Sequence, residues 1–309
     1  MRDYAVLLAG IACAGMGGEL FIRGVVGLAG WLRISPGIIG AVVAAFATSS
    51  PELSVAINAA LAGQPQIAFG DVLGSNIANV ALVLALALII AGIRCPRSSI
   101  RRDFPVALLI PPCTGLLFLD GTLSRIDGML LLGLFLAWLA VAVAEARQQR
   151  SATAEVLGEW RRWRIVCCCA AGLALLILAG DLVVSGAKRI ALSLGMDYFT
   201  VGVTVVAIGT STPELATAVI AKLRGHDEVG LGTILGSNIF NGLLIVPVAA
   251  IITPITVAHS AGAFISLCFG FLAMALTYPD RTGHIHQARG WLLLLLYGCS
   301  LYLVLTFGN

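Results

Sequence analysis

Two pairs of short stretches gather side chains that could together hold a cation. Thr48-Ser49-Ser50-Pro51-Glu52 and Thr210-Ser211-Thr212-Pro213-Glu214 place hydroxyls, a proline and a glutamate in succession. Each is followed by a Gly-Ser-Asn-Ile-x-Asn stretch, Gly74 to Asn79 and Gly236 to Asn241. Hydroxyl, amide and carboxylate oxygens form a hard donor set, suited to Ca2+ or Na+ rather than to thiolate-binding metals. Helical spacing puts Ser75 and Asn79 on one face, and Ser237 and Asn241 likewise. For Asn76 and Asn238 a plainer reading competes, amides that glue helices together.

These stretches are expected inside a membrane. Of 309 residues, 59% are hydrophobic and 11% charged, and mean hydropathy is +0.98. So few polar groups cannot cover a water-facing surface, so lipid must. The net charge of +3, with bases scattered rather than striped, excludes a nucleic-acid partner. Cys13, Cys95, Cys113, Cys167, Cys168, Cys169, Cys268 and Cys299 lie in or beside apolar runs without CxxC spacing and are expected as buried free thiols. The segment from Met1 to Gly18 looks like a signal peptide, but its apolar pattern continues to Leu32, so it is taken as a first span.

Cutting the chain at charged or turn-forming interruptions gives ten spans, roughly 4–32, 37–62, 67–93, 104–119, 127–146, 164–193, 199–223, 229–252, 258–277 and 289–307. Pro105, Pro111 and Pro112 predict a kinked or irregular fourth span. If alternate loops share a side, one side holds fourteen Lys and Arg (Arg33, Arg94 to Arg102, Arg147 to Arg164, Lys222, Arg224, Arg281, Arg289) and the other only Arg2 and Arg125. This positive-inside asymmetry predicts a plasma (inner) membrane protein with both termini outside.

A shift of 162 aligns Gly40–Asn79 with Gly202–Asn241 without a gap, with 19 of 40 positions identical. Gly24 then meets Gly186, Ala29 meets Ala191 and Glu19 meets Asp181. Five spans separate the copies, so the second enters the membrane upside down. The fold expected is an all-α polytopic membrane protein of two inverted-topology five-helix repeats, 1–147 and 164–309, joined by a short cytoplasmic linker, 148–163. Prolines at mid-span break spans 2 and 7, freeing carbonyls near Ala45 and Ala207 toward an interior cavity, and the preceding hydroxyls are expected to cap the second half-helices. An ionised glutamate there costs about 3 kcal/mol. With no Lys or Arg in either motif, a bound cation is the natural counter-ion for Glu52 and Glu214.

The two copies resemble the alpha repeats of the sodium/calcium exchanger branch of the cation/calcium antiporter superfamily, in its prokaryotic two-repeat form. The resemblance rests on Thr48 to Glu52 and Gly209 to Glu214, each followed by its Gly-Ser-Asn stretch, and extends over nearly the whole chain. It implies Ca2+ exchanged for Na+ by alternating access, with Ca2+/H+ exchange as the alternative. It also implies ion ligands at Glu52, Glu214, Thr48, Ser49, Thr210, Ser211, Ser75, Asn79, Ser237, Asn241 and the carbonyls of Ala45 and Ala207. The chain departs from the family pattern at Ala47, where a glycine is usual, and at Asp71 and Thr233, where an asparagine is. Asn79 and Asn241 stand where one Asp is frequent, leaving two acids in the expected site.

Other features carry less. Glu19 and Arg23, four apart, are expected to pair, and Lys188 and Arg189 to snorkel. His284 and His286 read as a solvated loop without further metal ligands. No HExxH is present and neither Ser49 nor Ser211 has a histidine in its motif, against an intramembrane hydrolase. A passive channel is the remaining non-enzyme alternative. The linker is too short for a regulatory domain. The expected partners are the bilayer and the transported cations, with no cofactor, and the oligomeric state stays open.

Overall fold

Long apolar runs have no water to satisfy their backbone groups, so they close those bonds internally as helices. The computed structural model describes residues 2–152, 162–193, 207–257 and 261–307. Along the first part run α1 (Arg2–Leu32), α2 (Pro36–Thr48), α3 (Ser50–Leu61), α4 (Pro65–Ile90), α5 (Arg97–Leu117) and α6 (Arg125–Ala152). Along the second run α7 (Arg162–Ser193), α8 (Ala207–Thr210), α9 (Thr212–Leu223), α10 (Asp227–Ile252), α11 (Ala261–Thr277) and α12 (Ala288–Phe307). Among the described residues, α1, α4, α6, α7 and α10 are each long and apolar enough to cross a bilayer, and α2 and α3, bent by 45° at the break between them, are so only when taken together.

The helix over the expected fourth span begins at Arg97, not near 104, and α5 runs as one helix through Pro105, Pro111 and Pro112. Two of the charges in that stretch, Arg102 and Asp103, are neutralised inside the protein, while Arg97 and Arg101 are exposed. Arg102 meets both oxygens of Asp103 at 2.8 and 2.9 Å and reaches Glu145 of α6 at 2.5 Å, while Trp138 Nε1 donates to Asp103 at 3.0 Å. A paired, hydrogen-bonded charge is tolerated where a lone one is not.

Among the described residues, four two-residue strands tie the connections together. Ile93–Arg94 (β1) pairs antiparallel with His284–Ile285 (β4), and Thr122–Leu123 (β2) with Ile255–Thr256 (β3). The first pair joins two connections on the arginine-rich side of the alternation, and the second joins two on the arginine-poor side. Side-chain links follow the same division. Lys222 Nζ donates to Gly92 O at 2.7 Å, Gln149 Oε1 accepts from Ser35 N at 2.9 Å, and Thr253 Oγ1 donates to Ala60 O at 2.9 Å. His284 and His286 therefore belong to a paired strand and its flank, with His286 Nε2 held 3.0 Å from Asp280.

The core sits where α10 lies against α2. At Gly236 a Cβ would collide with the Ala41 carbonyl and stand 2.6 Å from the Ala45 Cβ, so only glycine lets these backbones meet. The longest helix contact is between α1 and α7, at whose crossing a Cβ on Gly24 would lie 2.5 Å from the Cys169 amide nitrogen. Glu19 of α1 pairs with Arg23 at 2.6 Å as expected and also with Arg224, beyond α9, at 2.8 Å. The thiols are free, but only Cys95 is buried; Cys167, Cys268 and Cys299 lie on the outer surface, because apolar sequence in a membrane protein faces lipid as readily as core. The side chains of Lys188 and Arg189, and residues 153–161 of the linker, lie outside what is described.

Candidate ion-binding site

At the break between α2 and α3, Ser49 leaves helical geometry (φ −85°, ψ 7°), and Ser211, between α8 and α9, does the same (φ −80°, ψ 6°). The proline just inside each new helix brings no N–H, so the ladder resumes with Leu53 N on Ser49 O at 3.1 Å and Leu215 N on Ser211 O at 2.9 Å. The hydroxyls do not cap these helices, contrary to expectation: neither Ser49 nor Ser211 makes a side-chain capping bond. Ser50 Oγ donates back to Ala47 O at 2.7 Å and Thr48 Oγ1 to Ala45 O at 3.3 Å. The Ala45 carbonyl also accepts from Ser49 N at 2.9 Å, so it is not free, and a cation there would compete with the Thr48 hydroxyl. Ala207 opens α8, with its preceding neighbours outside the described residues.

Hydrogen bonds link several of the other expected residues across the two halves of the chain. Ser49 Oγ and Ser237 Oγ donate to Glu214 Oε1 at 3.4 and 3.3 Å, and Thr48 Oγ1 lies 3.4 Å from Ser237 Oγ. Thr48, Ser49, Glu52, Ser75, Asn79, Ser211, Glu214, Ser237 and Asn241 are all buried, and Thr210 is half-buried. Among the described residues nine buried side-chain oxygens have no hydrogen-bond partner, and six belong to this group: Glu52 Oε2, Ser75 Oγ, Asn79 Oδ1, Ser211 Oγ, Glu214 Oε2 and Asn241 Oδ1. Buried polar atoms are ordinarily paired, so six orphans in one motif set need an explanation. Hydroxyl, amide and carboxylate oxygens are the hard donors that Ca2+ and Na+ take.

The asparagine network spans the two halves. Asn79 Nδ2 donates to Asn238 Oδ1 at 3.1 Å, and Asn241 Nδ2 to Asn76 Oδ1 at 3.0 Å. Asn238 Nδ2 adds a bond to Asn76 O at 3.1 Å. Asn79 and Asn241 each start a π-helical segment, Asn79–Leu84 and Asn241–Ile245, and another, Gly40–Ala44, precedes the break between α2 and α3. Such segments gather at functional sites in helices.

Sequence reasoning passed over two features here. The π segments, apolar apart from their leading asparagines, do not stand out from the apolar spans around them. Asp71, noted only as a departure, stands one turn before Ser75 on the same face, and its Oδ2 is buried without a partner. Its counterpart Thr233 bonds its own backbone, Oγ1 to Val229 O at 2.8 Å. An acid where the other repeat has a neutral residue was the available sign.

The family model described as sodium/calcium exchanger protein matches the chain twice, over residues 3–144 and 164–306. The chain belongs to the sodium/calcium exchanger family. The putative antiporter CaxA of Alkalimonas amylolytica is 33% identical over 97% of this chain and 98% of its own length. The sodium/calcium exchanger MaX1 of Methanosarcina acetivorans is 26% identical over 96% of each. A solved structure of the sodium-calcium exchanger NCX_Mj, soaked with Na+ and Sr2+, superposes with a TM-score of 0.84 at 28% identity over 97% of both chains. As a member of this exchanger family the protein is an all-helical, multi-pass membrane antiporter for cations and not an enzyme, and transport in the family uses no cofactor.

Proposed function

We propose that the protein exchanges Ca2+ for Na+ by alternating access, one Ca2+ being held between the two halves by Glu52, Glu214, Ser75, Ser211, Asn79 and Asn241. Thr48, Ser49, Thr210 and Ser237 complete the pocket, with the carbonyls of Ala45 and Ala207 at its edge. One observation carries the reading: six partnerless buried oxygens fall within the repeated motifs, four of them as matched pairs, Glu52 with Glu214 and Asn79 with Asn241. The two glutamate charges balance one divalent ion, and sodium ions replacing it meet the same hard oxygens. What the solved relative and MaX1 are named for, sodium and calcium exchange, agrees with this choice over Ca2+/H+ exchange. Calcium uptake into vesicles under sodium, potassium or proton gradients in turn distinguishes the two.

The scaffold proposed for this cycle is ten spans in two inverted repeats, 1–147 and 164–309, linked by 148–163 in the cytoplasm of the plasma (inner) membrane, both termini outside. The β1–β4 and β2–β3 ribbons, each joining connections assigned to one side, support that alternation. A cysteine introduced at position 155 of a cysteine-free variant is expected to stay unlabelled by an impermeant maleimide in intact cells and to react after lysis. Labelling before lysis would refute the cytoplasmic placement of the linker and with it the outside termini.

A further inference from the structure

An asparagine is a useful cation ligand only if its oxygen, not its nitrogen, faces the ion. The two prongs of the amide have nearly the same shape, so packing alone does not choose between them; a hydrogen-bond partner must. Here each terminal asparagine has such a partner, contributed by the opposite half of the chain. Asn238 Oδ1, an acceptor, takes the Asn79 Nδ2 proton at 3.1 Å, and Asn76 Oδ1 takes that of Asn241 at 3.0 Å. The oxygen prong of both amides is left buried with no donor to meet it. The two bonds are counterparts under the 162-residue shift, since 79 maps to 241 and 76 to 238.

We propose that Asn76 and Asn238 are positioning residues of the ion site: each clamps the amide nitrogen of the other repeat's last asparagine and so commits its oxygen to the cation. The proposal rests on the ion site assigned above. It gives the third residue of each Gly-Ser-Asn stretch a role distinct from helix gluing, and it makes each half of the site depend on the other. Loss of a clamp lets the amide turn its N–H2 group toward the ion, which both withdraws a ligand and adds a repulsive donor. Outer partners that orient ligands in this way are worth about 10- to 100-fold in metal affinity.

A carboxylate carries oxygen on both prongs and needs no orienting, so an aspartate in place of the clamped asparagine should not feel the loss of its clamp. The test is a double-mutant cycle on the purified full-length protein, with Ca2+ affinity measured by titration and folding by thermal unfolding in detergent. Asn238→Leu is expected to weaken Ca2+ binding by about 10-fold or more when Asn79 is present, and by less than about 3-fold when combined with Asn79→Asp. An equal penalty in both backgrounds, or none in either, would overturn the clamp, since a role in packing alone does not depend on the residue at position 79. Should Asn238→Leu fail to fold, Asn76→Leu with and without Asn241→Asp gives the mirror cycle with the same readings. Glu52→Gln is measured alongside: if it leaves Ca2+ affinity intact the ion site itself is wrong, whereas its loss of affinity beside an additive cycle rejects only the clamp.

Discussion

Glutamine in place of Glu52 or of Glu214 is expected to abolish Ca2+ transport while leaving a folded protein. Both side chains are about 1% exposed, and each has an oxygen without a partner. The substitution keeps an oxygen and the shape but removes one of two charges that offset a divalent ion where water cannot help. A loss of at least about 100-fold in Ca2+ affinity, equivalent to about 2.7 kcal/mol, is anticipated for each. Folding should survive because a neutral amide is cheaper to bury than an unpaired carboxylate. Binding titration together with uptake assays checks this, and near-normal flux in either variant would remove that carboxylate from the site.

Gly236→Ala carries the other large effect, on assembly rather than on ions. A methyl group there has no room between the Ala41 carbonyl and the Ala45 Cβ, so α10 must move away from the helix that leads into the Glu52 break. Overpacking costs about 1–3 kcal/mol in side-chain cores, and here the obstacle is backbone, which yields less. We expect a loss of about 3 kcal/mol or more, seen as poor expression and a lowered unfolding temperature. Gly70→Ala serves as the control, because a Cβ at Gly70 meets nothing within 4 Å. Equal stability of the two variants would show that the α10 contact is looser than described.

The parts of this site legible in the sequence were those where residue type defies the membrane. Glu52, Glu214, Asn79 and Asn241 stand out because polar groups inside apolar spans are costly, and the 162-residue repeat doubled the signal. Connections between distant residues left no such mark. Arg224 reaching Glu19, or Asn76 holding Asn241, depends on how helices cross, which local pattern does not encode. Charge misled in the other direction at Arg102 and Asp103, where a mutual pair and Glu145 allow a helix to begin seven residues earlier than the apolar run suggested. The hydroxyls of Thr48 and Ser50 were read as caps for the second half-helix, yet they satisfy carbonyls of the first, since Ala45 and Ala47 lie one turn back.

Calcium uptake by the purified protein in proteoliposomes tests the exchange most directly. Vesicles loaded with Na+ and diluted into Na+-free medium containing Ca2+ should accumulate calcium, and equal Na+ on both sides should stop it. Loading with K+ instead, or imposing a proton gradient without sodium, should give no uptake above empty vesicles. Uptake that proceeds without sodium and follows the proton gradient, or that needs no counter-ion at all, would contradict the account.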